Sequence, residues 1–471
     1  MISRIISRIN PPSLGGRVGQ MSTFYLLVTF LISSAGFFLS AWIVIPAPIF
    51  SLLVLSVGTP EVSPWLWGIN LLGGLLSMGW LLIKGSIPNL INSSINNSIA
   101  ILALSLSIFG LAFSLLPIAQ LPGTVQKAEA EMARKISPDY RAAIPPQIQK
   151  LLRPHPFFAL DAWRGIKRID SKPIRYTAGI PIPTPAGVSL SLDLYRPSQE
   201  GIYPAIVVIH GGAWREGSPQ DNGEFSRYMA AQGYAVWAIT YRYAPAHRFP
   251  IQLQDVRTAL EFIQQRGGDY ETDVERIAIL GRSAGAQLAM LAAYSPEFAT
   301  GSPIPAIKAV VNYYGPVDLE AGYYDLPNPD PIDSRAVLLD LLGGTPEEVG
   351  ELYRAASPIN FVKGTTNYNS SNNSGSNFGA GDRSLPPSLL IYGGKDHIVM
   401  AKFGQALADR IKARGDRAVF LKIPWADHAF DAVFSGISNQ LALYYTERFL
   451  AIYLHKPQEF PQNQSRASSR Y

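Results

Sequence analysis

The chain has 471 residues, of which 47 % are hydrophobic and 16 % charged, with a formal net charge of +5. A charged share well below the usual ~25 % excludes a disordered or fibrous chain. The absence of cysteine excludes disulfides, cysteine-ligated zinc, iron–sulfur clusters and thiol nucleophiles. Arg4, Arg8 and Arg17 supply much of the positive excess, and residues 127–471 carry 36 basic against 34 acidic residues. No basic stripe therefore marks a nucleic-acid partner.

The charge deficit is concentrated at the N-terminal side. Between Val18 and Gln126, a span of 109 residues, the only charged side chains are Glu61 and Lys84. Three apolar runs there, Ser22–Ile45, Trp65–Ile83 and Ser98–Ala119, are each close to or above the ~20 residues that cross a bilayer as a helix. Trp65, Trp67 and Trp80 fall near the ends of the second, where interfacial aromatics sit. Ile49–Val57, after the breaks at Pro46 and Pro48, is too short to span and reads as an interfacial or re-entrant piece. A cleaved signal peptide would explain the first run but not the two that follow. Residues 1–120 are thus expected to be a membrane segment with the lipid bilayer as partner. Residues 121–173, Pro-rich and amphipathic, are expected to form a juxtamembrane helix and linker.

Three spans place the two ends of the segment on opposite sides of the membrane. Arg4, Arg8, Arg17 and Lys84 face Lys127, Arg134 and Lys135 across it, a positive-inside count that favours a cytoplasmic N-terminus. The expectation is a C-terminal domain on the non-cytoplasmic side.

From about Ile174 the pattern changes to alternating strand and helix signals. Gly187–Tyr195 alternates like a half-exposed strand. Ala205–Ile209, Ala235–Ile239, Ile277–Leu280, Ala309–Tyr313, Leu389–Tyr392 and Val419–Ile423 are short β-branched runs, the signature of a parallel sheet buried on both faces. Leu253, Val256, Leu260 and Ile263 mark an intervening helix. The expected class is α/β, with a mostly parallel sheet flanked by helices over residues 174–455. The rhythm breaks between Asp318 and Leu385, with an Asn/Ser/Gly-rich excursion near 364–383, and residues 456–471 read as a polar tail.

Gly281-Arg282-Ser283-Ala284-Gly285 fits G-x-S-x-G, with a buried strand leading in and a helix pattern leading out. A serine on such a turn is presented at a helix N-terminus, where small neighbours avoid clashes and the dipole favours developing negative charge. His210-Gly211-Gly212-Ala213-Trp214 directly follows Ala205–Ile209, and its glycines allow backbone N–H groups to approach a substrate carbonyl. A plain β-turn is the competing reading. His210 reads as a loop anchor rather than a base. A serine needs a base and an orienting carboxylate, which in this chain order follow it. His428 lies just after Val419–Ile423, and Asp396 just after Leu389–Tyr392, at strand ends where sites form. Asp427 is the rival carboxylate.

These residues give the chain a likeness. It resembles α/β-hydrolase-fold carboxylesterases of the hormone-sensitive-lipase-like and feruloyl/acetyl-esterase-like type. The likeness rests on His210 to Trp214, Tyr241-Arg242-Tyr243-Ala244-Pro245 with Phe249-Pro250, Gly281 to Gly285, Tyr392 to Val399, and His428-Ala429-Phe430. It covers about Ile174 to Leu454 and leaves out the N-terminal third. It implies a Ser283–His428–Asp396 triad, with the N–H groups of Ala284 and of Gly211 or Gly212 as oxyanion hole. Gly281, Gly285, His210 and Trp214 support the loops. Arg282, where an acidic residue is common, and Ala286, where a glycine is common, lean toward the feruloyl/acetyl-esterase and arylformamidase branch.

The expected activity is hydrolysis of a small-molecule or lipid ester through an acyl-enzyme, with no cofactor and no metal. The same triad would serve an amidase, arylformamidase or peptidase. A non-catalytic binding module on a hydrolase scaffold is the reading from another class.

Overall fold

The computed structural model describes residues 14–83, 94–164, 173–184, 188, 190–295, 304–362 and 384–455. The expected excursion near 364–383, the tail 456–471, Arg4, Arg8 and Lys84 lie outside them. The charge-poor third forms α1 (Leu14–Ala41), a 3-10 turn at Phe50–Leu52, α2 (Leu53–Glu61), α3 (Ser63–Ile83) and α4 (Ser94–Lys135). Gln20–Ala41, Ser63–Ile83 and Ser94–Lys135 are long and apolar enough to cross a membrane.

The packing of α1, α3 and α4 is inverted relative to a water-soluble core. Thr29, Ser33, Asn70, Ser77, Ser107 and Ser114 are buried between the helices, whereas Leu31, Leu75, Leu102 and Phe109 point outward. Ser107 donates to Ser33 at 2.9 Å, and Asn70 donates to Ser40 at 2.9 Å. A Cβ on Gly36 or Gly110 would run into the Asn70 amide. Small residues that let helices approach, joined by polar contacts inside and large apolar groups outside, are what lipid as solvent selects.

Two boundaries differ from the sequence expectation. The first helix ends at Ala41, and Trp42–Ile45 form turns ahead of Pro46. The third does not stop near 119 but runs through Pro117 and Pro122 to Lys135. Prolines are tolerated in such helices because neighbouring groups satisfy the freed carbonyls. At 1.5 Å per residue α4 is about 60 Å long, twice a bilayer core. Its C-terminal part, with Ala128 and Met132 buried, joins the core of the second region.

Residues 136–164, expected as a linker, carry α5 (Pro146–Gln149) and α6 (Ala159–Arg164) and are held down by side chains. The Arg153 amide donates to Glu447 at 2.7 Å, and its guanidinium donates to Gln440 at 2.9 Å.

The sheet has eight strands: β1 (Ile174–Ile182), β2 (Leu190–Pro197), β3 (Tyr203–Ile209), β4 (Ala235–Ile239), β5 (Thr272–Arg282), β6 (Ile307–Tyr313), β7 (Ser388–Gly393) and β8 (Ala418–Ile423). Their order is β1-β2-β4-β3-β5-β6-β7-β8, with the β1–β2 and β2–β4 pairs antiparallel and the remaining pairs parallel. β4 and β7 are buried along their whole length, so helices cover both faces. Those helices are α7 (Gly223–Ala231), α8 (Ile251–Arg266), α9 (Ala284–Tyr294), α13 (Ala401–Ala413) and α14 (Ile437–Leu454). β2 is more buried than its alternating sequence suggested. Asp193 on its polar face is covered and accepts from the Tyr176 hydroxyl at 2.6 Å and the Gly179 amide at 2.9 Å.

Between β6 and β7 lie α10 (Leu319–Tyr324), α11 (Ser334–Leu342) and α12 (Pro346–Ala355). Each has a capping residue, Asp318, Asp333 and Thr345 respectively, but all three helices are too short to give a clear periodicity.

Candidate active site

The strand-to-helix turn between β5 and α9 carries Ser283 at φ 51°, ψ −124°, outside the regions ordinary residues prefer. Such a turn tolerates only small neighbours: a Cβ on Gly281 would strike the Gly285 carbonyl, and one on Gly285 the carbonyls of Ile209 and His210. The tight packing explains the glycines of the motif and brings the loop after β3 against the serine. A Cβ on Gly211 would lie 3.2 Å from the Ser283 Cβ.

That loop is wound through positive φ at Gly212, Ala213 and Trp214. His210 is buried beneath it, stacked on Tyr241 at 4.5 Å, with Nδ1 2.7 Å from the Gly211 carbonyl. It lies in the position of a loop anchor. The Trp214 indole donates to Gln287 at 3.0 Å, and Gln287 donates to the Ala356 carbonyl at 2.7 Å. This ties the loop to α9. Ala284 is the first residue of α9, so its N–H has no intrahelical acceptor.

His428, on the loop after β8, has Nε2 2.9 Å from Ser283 Oγ and Nδ1 2.9 Å from Asp396 Oδ2. The other Asp396 oxygen accepts from the amides of Ile398 at 2.9 Å and Val399 at 2.8 Å, which fixes the carboxylate. All these groups sit at the carboxyl ends of parallel strands, where sites in such sheets form. With the Nδ1 proton directed at Asp396, Nε2 is left with a lone pair toward the serine hydroxyl.

Asp427, the rival carboxylate, faces elsewhere. It accepts from the His428 amide at 2.8 Å and from Ser56, and it pairs with His397 at 3.0 Å. Burial works against the His397 charge, but the hydrogen bond and charge of Asp427, with the Lys395 carbonyl and the Asp396 charge, together outweigh it and raise the pKa. Asp427 is in turn held below the usual carboxylate range despite its own burial. His455 is remote, 3.2 Å from the Tyr234 hydroxyl.

Two features were not read from the sequence. Arg282 is buried over the rings of Phe225 and Tyr313 and pairs with Asp431, which also accepts from the Tyr314 hydroxyl. Tyr314, directly after β6, lies against the His428 ring at 4.6 Å. Its place at a strand end was the available signal. The second feature is α2, packed beside the site with Ser56 reaching Asp427.

Two cavities meet at Ser283. The smaller is lined by Ala284, Val317, Leu319, Val337, Leu338 and Phe403. The larger, an open cleft, is lined by His428 and Arg282 and, from the N-terminal region, by Phe50, Leu53, Val54 and Val57. The segment after Asp318 supplies part of the first cavity. For the second, which also takes Ile332 from that segment, one wall comes from α2 and the turn before it, and no described residue of 121–173 lines either. Among the described residues no group of three or more His, Asp or Glu side chains could hold a metal ion.

Residues 192–368 match the family model BD-FAE. The chain is similar to Esterase LipC of Mycobacterium tuberculosis, 32 % identical over 257 residues, covering 51 % of this chain and 57 % of that protein. Esterase LipQ of the same organism is 28 % identical over 278 residues, covering 55 % and 58 %. The isoprenylcysteine alpha-carbonyl methylesterase ICME of Arabidopsis thaliana is 24 % identical over 235 residues, covering 48 % and 51 %. The chain thus spans little more than half the length of these relatives. Among solved structures, a bacterial heroin esterase superposes with a TM-score of 0.50 at 19 % identity, over 67 % of this chain and 99 % of that one, a likeness of fold. Residues 192–368 are thus similar to BD-FAE and esterase sequences, in a region of α/β-hydrolase fold preceded by three helices long and apolar enough to cross a membrane.

Proposed function

We propose that the chain is a membrane-anchored serine hydrolase that cleaves carboxylic esters through an acyl-enzyme. Ser283 Oγ attacks the ester carbonyl while His428 Nε2 takes its proton, and Asp396 orients the imidazole and balances its charge. The N–H groups of Ala284 and of Gly211 or Gly212 receive the oxyanion. His428 returns the proton to the leaving alcohol. A water deprotonated by the same nitrogen then releases the acid and restores the serine.

The observation that carries this reading is the pair of 2.9 Å contacts on the two nitrogens of His428. The names of the relatives, esterases and methylesterases, agree with ester substrates. α1, α3 and α4 act as the anchor. In the sequence Arg4, Arg8, Arg17 and Lys84 on one side outnumber Lys127, Arg134 and Lys135 on the other, so the N-terminus is assigned to the cytoplasm and the catalytic domain to the non-cytoplasmic side.

The test is a fluorophosphonate probe together with turnover of p-nitrophenyl butyrate. The wild type should be labelled and active. Ser283→Ala should lose the label and roughly 10⁴-fold or more of kcat, since a serine hydrolase loses most of its rate enhancement with its nucleophile. A variant retaining a tenth of the rate would overturn the assignment.

A further inference from the structure

The cleft wall formed by α2 lies beside the reacting atoms but belongs to the connection between two membrane-crossing helices. α1 ends at Ala41 and α3 begins at Ser63, so the 3-10 turn and α2 sit at one end of the helix bundle. That is also the end from which α4 continues into the sheet domain. Ile49, Phe50 and Val54 are 55 %, 67 % and 72 % exposed, although Phe50 and Val54 also line the cleft that contains Ser283 and His428. Large apolar groups left this open in water form a patch that calls for an apolar partner. Further leucines and phenylalanines of α1, α3 and α4 are exposed on the helix bundle that α2 adjoins.

α2 is fastened in place. Ser56 donates to Asp427, the neighbour of His428. The Lys395 ammonium donates to the Trp42 carbonyl at 2.7 Å, capping the end of α1, and to the Ser56 carbonyl at 3.1 Å. At the far end the Glu61 carboxyl accepts from the Ser438 amide at 2.8 Å. The wall is therefore built on both sides of α2 by residues of the sheet domain.

The two cavities divide the substrate. His428 must hand its proton to the leaving alcohol, and His428 lines the open cleft but not the smaller cavity. The acyl part therefore belongs in the smaller, apolar cavity and the alcohol part in the cleft along α2. Glu216, Asp221, Glu224 and Asp431 line the cleft together with the guanidinium of Arg282, which pairs with Asp431. Carboxylates accept from hydroxyl groups and repel phosphates.

Resting on the ester-hydrolase reading above, we propose that the substrate is an uncharged, bilayer-resident ester with a hydroxyl-bearing alcohol part. It reaches Ser283 along α2 without leaving the apolar phase. The bilayer loads the site, and α2 serves as the guide between lipid and nucleophile.

The experiment uses the full chain in phosphatidylcholine vesicles containing a few mole per cent of diacylglycerol or, separately, of phosphatidylglycerol. Fatty-acid release is compared with turnover of soluble p-nitrophenyl butyrate. Wild type should release fatty acid from the diacylglycerol vesicles at least about tenfold faster than from the phosphatidylglycerol vesicles. Val54→Asp should lower the ratio of vesicle-borne to soluble turnover about tenfold or more, because a carboxylate in an apolar path is costly to desolvate. Val54→Leu should keep the wild-type ratio. Equal release from the two lipids, or an unchanged ratio in Val54→Asp, would overturn the proposal. So would hydrolysis of the soluble ester with no release from vesicles, an outcome that leaves the esterase reading standing. Absence of both turnover and fluorophosphonate labelling would instead remove the esterase reading itself.

Discussion

The helix bundle and the sheet domain of one chain bury opposite kinds of residue. In the sheet, Val207, Val236, Ile279 and Leu390 fill the interior, as water demands of a soluble core. In the bundle, serines, Asn70 and glycines fill the interior, and leucines and phenylalanines face out. The apolar runs of both regions are alike in hydropathy and differ in length and in the charge around them. The orientation of the side chains separates them as well. The regions meet at α2, where polar contacts from Ser56 and Glu61 tie the bundle to the loops carrying His428 and its neighbours.

The largest effects belong to the sheet side of that junction. Asp396→Asn should lower kcat for p-nitrophenyl butyrate by about 10⁴-fold with the melting temperature little changed, because the amide favours the wrong imidazole tautomer. Asp427→Asn should act differently. It weakens the contacts to His397 and Ser56, so its main effect should be on thermal stability, with a loss of kcat well below that of Asp396→Asn. The reverse ranking would mean that Asp427 is the orienting acid.

The bundle side is tested by inverting its pattern. Gly110→Leu places a large side chain where even a Cβ meets the Asn70 amide, and overpacking of this kind costs typically ~1–3 kcal/mol. Leu75→Ala, on the outward face, removes no interhelical packing and should cost far less in detergent. Melting of the detergent-solubilised chain checks both. If Leu75→Ala proved the more damaging, the bundle would be packed like a soluble core and the contrast between the two regions would fail.

The sequence made the candidate constellation legible because each member follows a short buried strand. Ser283, Asp396 and His428 all lie just past β-branched runs, and the chain order of the three restricts the choice of base. What stayed hidden was non-local. Arg282 and Asp431 are 149 positions apart, and nothing in either neighbourhood announces the pair. Ser56 and Asp427 are separated by 371 positions, so the role of the short apolar piece after Pro48 could not be read from its own residues. α10–α12 escaped for another reason: at 6, 9 and 10 residues, and set among prolines, they give too few turns for a 3.6-residue period to stand out.

The smallest effect concerns pH at the junction itself. Burial pushes the Glu61 carboxyl up to about 8, even though it accepts from the Ser438 amide. In the unfolded chain a glutamate ionises near ~4.3, so between that pH and about 8 the folded protein holds a proton that the unfolded chain has released. Stability from this group is fully present below the unfolded value, falls as pH rises, and is lost once the pH passes about 8. Lys395, whose ammonium burial pushes down to about 8, adds its own dependence only above that value. The window from pH 5 to about 8 therefore isolates Glu61 from Lys395. Glu61→Gln keeps an oxygen for the Ser438 amide but carries no proton to lose. Its melting temperature should match that of the wild type near pH 5 and exceed it by a few degrees at pH 8. Melting curves of the detergent-solubilised chain at pH 5, 6.5 and 8 provide the check. Parallel curves for the two proteins would mean that Glu61 is already ionised across the window and that the α2 junction is open to water.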